Sequence, residues 1–300
     1  MSSVESTDWR FESPSEVAER LAGVDYLADH AIASTVFLAD RLQKPILVEG
    51  PAGTGKTQLA KSVAELTGAR LIRLQCYEGL DESKTLYEWN YRKQLLRIQA
   101  SQVGSDGAAL DWAALEEDIF DEAFLLTRPL LEAIRATEPV VLLIDEVDRV
   151  ELETEALMLE ILSEYQVSIP ELGTVVAHQI PMVFLTSNNT RELSEALKRR
   201  CLFLHVGYPD VERERLIVET RVPGISTELA EQIAQIVRTL RGMDLKKAPS
   251  VSETIDWAKT LVVLGKDSID EEDAVSTLHI LLKYQSDIER AAAELTGTRR

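Results

Sequence analysis

Apolar and polar positions alternate along this chain in two rhythms. Between residues 15 and 43, Ala18, Leu21, Leu27, Ala31, Ile32, Val36, Phe37 and Leu42 recur at helical spacing, which predicts helix. Pro45 to Glu49 is a short apolar run ending at Gly50 and predicts a strand. Thr57 to Leu66 places Leu59, Ala60, Val63 and Ala64 on one side of a helix, with Gly68 positioned to cap it. Leu71 to Cys76 predicts a second strand. Pro139 to Ile144 is a continuous β-branched and leucine run, as expected of a strand buried on both faces. Leu125 to Arg135, with Pro129 near its start, and Glu151 to Tyr165, carrying Leu157, Met158, Ile161 and Leu162, predict helices. Val167 to Val176, with Pro170 and Gly173, predicts a small hairpin. Met182 to Thr186 and Leu202 to Val206 predict two more strands, and only helical patterns follow Pro209. Residues 77–123 are less regular: Gly104, Gly107 and Glu116-Glu117-Asp118 read as exposed loop between helical pieces.

Strands alternating with helices, then helices alone, predict an α/β domain with a parallel sheet followed by a small all-helical domain. The boundary is expected near Gly207 to Pro209, giving domains at 1–207 and 208–300. The 300 residues suit two domains. At 45% hydrophobic and 28% charged the chain can build a core, which excludes disorder over most of its length. Lys and Arg number 32 against 51 Asp and Glu, a net charge of −19. Unless its basic residues are segregated, so acidic a protein is repelled by nucleic-acid backbones and anionic membranes, and both partners are disfavoured. No apolar run approaches the roughly 20 residues of a membrane span. Met1-Ser2-Ser3-Val4-Glu5 lacks the basic and apolar regions of a signal peptide. Cys76 and Cys201 have no zinc-ligand spacing, so a reduced, cytoplasmic protein with two structural cysteines is expected. The scattered His30, His178, His205 and His279 read as structural.

Gly50-Pro51-Ala52-Gly53-Thr54-Gly55-Lys56-Thr57 matches the phosphate-loop pattern G-x-x-x-x-G-K-[ST], between a predicted strand and a predicted helix. The glycines let backbone N–H groups turn inward around phosphates, and the helix adds its N-terminal dipole. Lys56 is expected to neutralise the β- and γ-phosphates, and the Thr57 hydroxyl to hold Mg²⁺. The strand Val140 to Ile144 ends in Asp145-Glu146. A carboxylate there faces the ligand crevice of a parallel sheet. Asp145 is placed to hold Mg²⁺, directly or through water. Glu146, pointing differently because strand side chains alternate, is the candidate base for an attacking water. Such a pair suits hydrolysis better than transfer to an acceptor hydroxyl. Asp148 and Arg149 read as helix-start charges or an interface pair.

With these motifs joined to a trailing helical region, the chain resembles the AAA+ ATPases, and within them the MoxR family, most closely its CoxD-type branch. Thr186-Ser187-Asn188-Asn189 stands where that family has its sensor-1 motif. The resemblance implies that Asn188, with Asn189 as the adjacent competitor, orients the water or contacts the γ-phosphate. An amide can donate and accept at once, although Asn also favours turns. Ala196-Leu197-Lys198-Arg199-Arg200-Cys201 precedes the fifth strand, where the family places its arginine finger. Arg200 is favoured and Arg199 is the alternative; the pair also reads as surface cations. The hairpin near 167–176 and an insertion at about 78–125 fit the MoxR pattern, the insertion reading either as a contact surface or as a surface loop without a role. The aromatic cluster Tyr77, Tyr87, Trp89 and Tyr91 within it reads as contact surface or as core. Tyr26 stands where the family packs adenine, or is core. One departure is plain: Ser250 and Glu253 form a capping box, but Val251 occupies the position of the family's sensor-2 arginine, leaving Lys246, Lys247 or Arg241 to substitute.

What the resemblance implies is an ATP hydrolase acting as a ring of its own copies, with six as the expected number. Such a ring remodels or matures a protein client, often a metalloenzyme, with a partner carrying a von Willebrand A domain. The rival expectations are a nucleotide-gated scaffold with negligible hydrolysis, a nucleic-acid-acting AAA+ protein and, more distantly, a small-molecule kinase.

Overall fold

The structure is a computed structural model that describes residues 10–104 and 119–297. Its centre is a five-stranded sheet of β1 (Ile46–Glu49), β2 (Arg70–Gln75), β5 (Val140–Asp145), β8 (Met182–Ser187) and β9 (Leu202–His205), in the order β2-β5-β8-β1-β9. All four pairings are parallel. Side chains alternate between two cores. Ile46, Val48, Val141, Leu143, Met182, Phe184 and Leu204 face one core. There they meet α1 (Pro14–Ala22), α2 (His30–Leu42) and α3 (Lys56–Thr67). Leu47, Ile72, Leu74, Leu142, Ile144, Val183 and Leu185 face the other. That core is closed by α6 (Pro129–Arg135) and α7 (Leu152–Glu164).

Three expectations are corrected by the fold. The helix expected over 15–43 is two helices, because Gly23 caps α1 and the Asp29 side chain accepts from the Ile32 N–H to start α2. Asp25 turns the chain at φ 57° between them, leaving Tyr26 in the break. The helix expected from Leu125 instead begins as strand β4 (Leu125–Thr127), antiparallel to β3 (Tyr87–Trp89), and α6 starts at Pro129. The short helix α4 (Glu82–Thr85) precedes β3, and α5 (Tyr91–Gly104) follows it, so Gly104 ends a helix rather than lying in a loop. Gly107 and Glu116-Glu117-Asp118 lie outside the described residues. The aromatic cluster divides: Trp89 is buried and meets Tyr87 and Phe120 edge-on, while Tyr77 and Tyr91 are exposed.

The expected hairpin is present as β6 (Gln166–Ile169) and β7 (Gly173–Val176). Helix α8 (Glu195–Arg200) leads into β9. Beyond His205 the described residues form five helices: α9 (Val211–Arg221), α10 (Thr227–Arg241), α11 (Val251–Val263), α12 (Glu271–Leu281) and α13 (Gln285–Leu295). They close a core of their own around Leu229, Ile233, Val237, Trp257, Leu261 and Leu278. The Trp257 indole N–H reaches the Thr277 hydroxyl at 2.7 Å. The capping box predicted at α11 is formed: Ser250 Oγ accepts from the Glu253 N–H at 3.3 Å, and the Ser250 N–H donates to the Glu253 carboxylate at 2.8 Å. Cys76 and Cys201 are free thiols, and burial pushes both up to about 12, so they stay protonated at neutral pH. Among the described residues, no helix is long and apolar enough to cross a membrane.

Candidate nucleotide-binding site

The loop Gly50–Gly55 joins the carboxyl end of β1 to the first turn of α3. Gly50 and Gly53 are glycines for spatial reasons. A Cβ on Gly50 would lie 2.1 Å from the Val206 carbonyl oxygen, and one on Gly53, at φ +73°, would lie 2.5 Å from Ser250 Cβ. Lys56 is buried and donates to the Gly50 and Pro51 carbonyls at 2.8 and 2.6 Å. Burial pushes its ammonium pKa down, and Asp148, Asp145, Glu146 and Glu49 oppose this.

Strand parity decides what meets Asp145. It follows Val141 and Leu143 onto the face covered by α3. Thr186 on β8 and Arg73 on β2 share that face. Asp145 Oδ1 accepts from the Thr57 hydroxyl at 2.9 Å and from the Thr186 hydroxyl at 2.6 Å. Its Oδ2 accepts from Arg73 Nε at 3.1 Å and also from Nη2. Thr57 and Asp145, 88 residues apart, thus share one hydrogen bond. Glu146 turns by a different route from simple alternation: the strand stops at Asp145, and Glu146 takes a left-handed backbone at φ 58°. Its N–H donates to Thr186 Oγ1 at 2.9 Å. Its carboxylate accepts from Gln75 Nε2 at 3.1 Å and pairs with Arg149 Nε at 2.9 Å. Arg149 therefore pairs within its own chain.

Asp148 is more than a helix-start charge. It is buried, and its Oδ2 accepts from the Thr190 N–H at 2.9 Å and hydroxyl at 2.6 Å. Burial works to raise its pKa, but the two bonds from Thr190 help hold it below the ordinary carboxylate value. Asp148 thereby ties down the turn after β8 that carries half-buried Asn188 and exposed Asn189, the latter at φ 57°. The D-E-x-D spacing could have pointed to it, but only the fold shows the partner.

The finger candidates lie elsewhere. Leu202 pairs with Ile46, so Arg200 sits beyond the amino end of β1, whereas the phosphate loop leaves its carboxyl end. Arg200 donates to Ser163 Oγ and, at 2.9 Å, to the Ala196 carbonyl. Arg199 is exposed. Neither hydrogen-bonds the phosphate loop of its own chain.

A cavity of about 160 Å³ opens between the phosphate loop and the helical region. Asp25, Tyr26, Leu27, Gly53, Thr54, Gly55 and Gln58 line one side; Arg213, Ile217, Arg221, Val251, Ser252 and Ile255 line the other. Tyr26 is both core and lining: it is buried, and its ring passes 3.8 Å from where a Gly55 Cβ would stand. The three cations expected to replace a sensor-2 arginine are absent from this lining. Arg241 makes a bidentate pair with Glu214 at 2.6 and 3.0 Å and lies over the Tyr208 ring. Lys247 pairs with Glu253 at 2.8 Å, and Lys246 lies over the Tyr284 ring. Two arginines of α9 take their place in the lining. A phosphate-loop cradle, a buried lysine and a hydroxyl–carboxylate pair fit a nucleoside triphosphate with Mg²⁺. Thr57 and Asp145 are the residues that would hold the metal, whose role is to neutralise phosphate charge.

A family model described as the AAA domain of the dynein-related subfamily matches residues 45–201, from the start of β1 to the end of α8. The chain belongs to this family. Its AAA domain contains the phosphate loop, Asp145, Glu146, Asn188 and both finger candidates. The sheet with the loop after β1, flanked by helices and followed by a helical lid, is the P-loop ATPase architecture of AAA+ proteins. Among similar proteins are uncharacterised proteins from Staphylococcus aureus strains bovine RF122 / ET3-1 and USA300. Each is 24% identical over 234 residues, which cover 74% of this chain and 80% of the relative. A mutant of RuvB from Thermotoga maritima superposes with a TM-score of 0.49 at 18% identity, covering 90% of this chain and 71% of that one. A structure titled as the Thermotoga maritima RuvB Holliday junction branch migration motor gives 0.45 at 16%, covering 90% and 70%.

Proposed function

We propose that this AAA+ protein hydrolyses ATP at sites shared between neighbouring copies in a ring, and that it belongs to the MoxR type. The observation that carries the hydrolase reading is the contact at 2.9 Å of Thr57, the last residue of the loop motif, with Asp145, the chain neighbour of Glu146. Lys56 leaves the Gly50 and Pro51 carbonyls for the phosphates. Glu146, freed from Gln75 and Arg149, accepts a proton from the attacking water, and Asn188 on the turn held by Asp148 orients that water. Thr57 and Asp145 would hold a Mg²⁺ ion, which would supply positive charge against the phosphates. Arg200, or Arg199 beside it, lies toward the opposite end of β1 from its own loop and would serve a neighbour's site. The domains are taken as 1–207 and 208–300, the second moving against the first during turnover. The insertion and hairpin support the MoxR assignment. On that assignment the work done is remodelling or maturation of a protein client, with a von Willebrand A domain protein as partner and the cytoplasm as location.

The test is phosphate release from ATP against protein concentration. Specific activity is expected to rise with concentration. Glu146→Gln should lower it by about 10²–10⁴-fold while ATP still binds, and Arg200→Ala should lower it as well. Activity independent of concentration and indifferent to both arginines would mean a self-contained site. A nucleotide-gated scaffold is the second reading, favoured by the two partners that already hold the Glu146 carboxylate. Turnover unchanged in Glu146→Gln would remove Glu146 from the chemistry.

A further inference from the structure

Helix α9 presents two neighbouring stripes. Glu214, Val218 and Val222, the last just past its end, are buried. Val218 and Val222 belong to the core of the helical region, while Glu214 holds Arg241. One position earlier in each turn stand Arg213, Ile217 and Arg221, spaced four apart and therefore on one face. All three line the cavity opposite Gly53, Thr54 and Gly55. The two arginines differ in what they hold. Arg213 is committed: it pairs with Asp29 at 2.5 Å and donates to the Leu27 carbonyl at 2.9 Å, joining α9 to the chain just before α2. The Arg221 side chain, half-buried in the last turn of α9, has no hydrogen-bond or ion-pair partner among the described residues. It brings five unused N–H donors and a fixed positive charge to a cavity whose far wall is the phosphate loop. The N-terminus of α11 contributes only the uncharged Val251 and Ser252 to the same wall, and Arg241, Lys246 and Lys247 are engaged elsewhere.

We propose that Arg221 binds the phosphate chain of the nucleotide and is the cation through which the helical lid senses it. This rests on the ATP-site reading above. A guanidinium suits the task because it is planar, permanently charged and able to grip two phosphate oxygens at once. Its place on α9, which carries the Asp29 anchor one turn before Ile217, links phosphate occupancy to the helix that connects the two parts of the chain. Arg221 is a binding and positioning residue; it takes no part in proton transfer.

The test is calorimetric titration of the full chain with ATP, ADP and adenosine in the presence of Mg²⁺. The variants are Arg221→Ala, Arg221→Lys and, as a charge-matched control, Arg238→Ala on the exposed face of α10. Arg221→Ala is expected to weaken ATP and ADP at least tenfold and leave adenosine unchanged. Arg221→Lys should recover only part of the loss, and Arg238→Ala should match wild type. Unchanged ATP affinity in Arg221→Ala overturns the assignment. So does weakening that is equal for adenosine and ATP, which would mean that Arg221 shapes the cavity without touching phosphate. Should the alanine variant not fold, the lysine variant decides alone: affinity equal to wild type overturns the bidentate contact. Lys56→Ala keeps the two readings apart. If neither wild type nor Lys56→Ala binds ATP, the proposed function and this assignment fall together. Lys56-dependent ATP binding that ignores Arg221 overturns this assignment alone.

Discussion

The phosphate loop and the helical lid reach the same cavity from opposite sides and are held in different ways. On the loop side, Lys56 bonds carbonyls five and six residues away, and the glycines make their own turn. Nearly everything that shapes the cradle lies within eight consecutive residues. On the lid side the contacts around the cavity join separate segments. Arg213 depends on Asp29, Arg241 on Glu214 and Pro249, and Ser250 sits against Gly53. The loop is therefore preformed, whereas the lid's contribution depends on how α9 and α11 dock onto it. A motif can specify the first, while the second is open to replacement of one cation by another from a different helix.

The largest effect is expected from Gly53→Ala, where the loop and the lid come closest. A left-handed φ of +73° in a non-glycine residue costs about 1–3 kcal/mol, and the methyl would drive into Ser250 Cβ. We expect loss of ATP binding by calorimetry together with a lower melting temperature. A melting temperature equal to wild type would mean that the lid yields freely. Next in size is Arg73→Ala on the loop side. Arg73 occupies Asp145 Oδ2 with positive charge, where on the proposed reading a divalent cation would compete with it. Its removal should lower the Mg²⁺ concentration for half-maximal phosphate release several-fold; an increase would show that Arg73 instead holds Asp145 ready. The smallest effect concerns pH. Asp148 has a folded-state pKa below its ordinary value, so its contribution to stability is complete above about pH 4 and is lost as the pH falls through the folded value. Asp148→Asn should lower the melting temperature by a few degrees at pH 7 and flatten its decline below pH 4. An unchanged acid slope would place the linkage elsewhere.

The loop Gly50–Thr57, the strand ending at Asp145-Glu146, the small hairpin and the Ser250–Glu253 capping box were all readable because each depends on neighbours in the chain. The helix read straight through 15–43 failed at Gly23 and Asp29, whose capping signals were present but outweighed by the apolar spacing around them. Leu125 became a strand because it pairs with Trp89, a partner 36 residues earlier that no local pattern names.

The sequence by itself determined the chemistry of the candidate site: the residues of the cradle, the two carboxylates and the alternation of strands and helices that carries them. These follow from backbone geometry and hydrophobic period, which act over a few residues. The tertiary structure decided which groups meet. Parity puts Arg73, Asp145 and Thr186 on one face, but only the order β2-β5-β8 makes them neighbours. Thr190 finds Asp148, Asp29 finds Arg213, and Arg221 faces the cavity while Arg241, Lys246 and Lys247 turn to other partners. Those choices depend on how separate elements pack, and the burial and ion pairing that settle them join residues far apart in the chain.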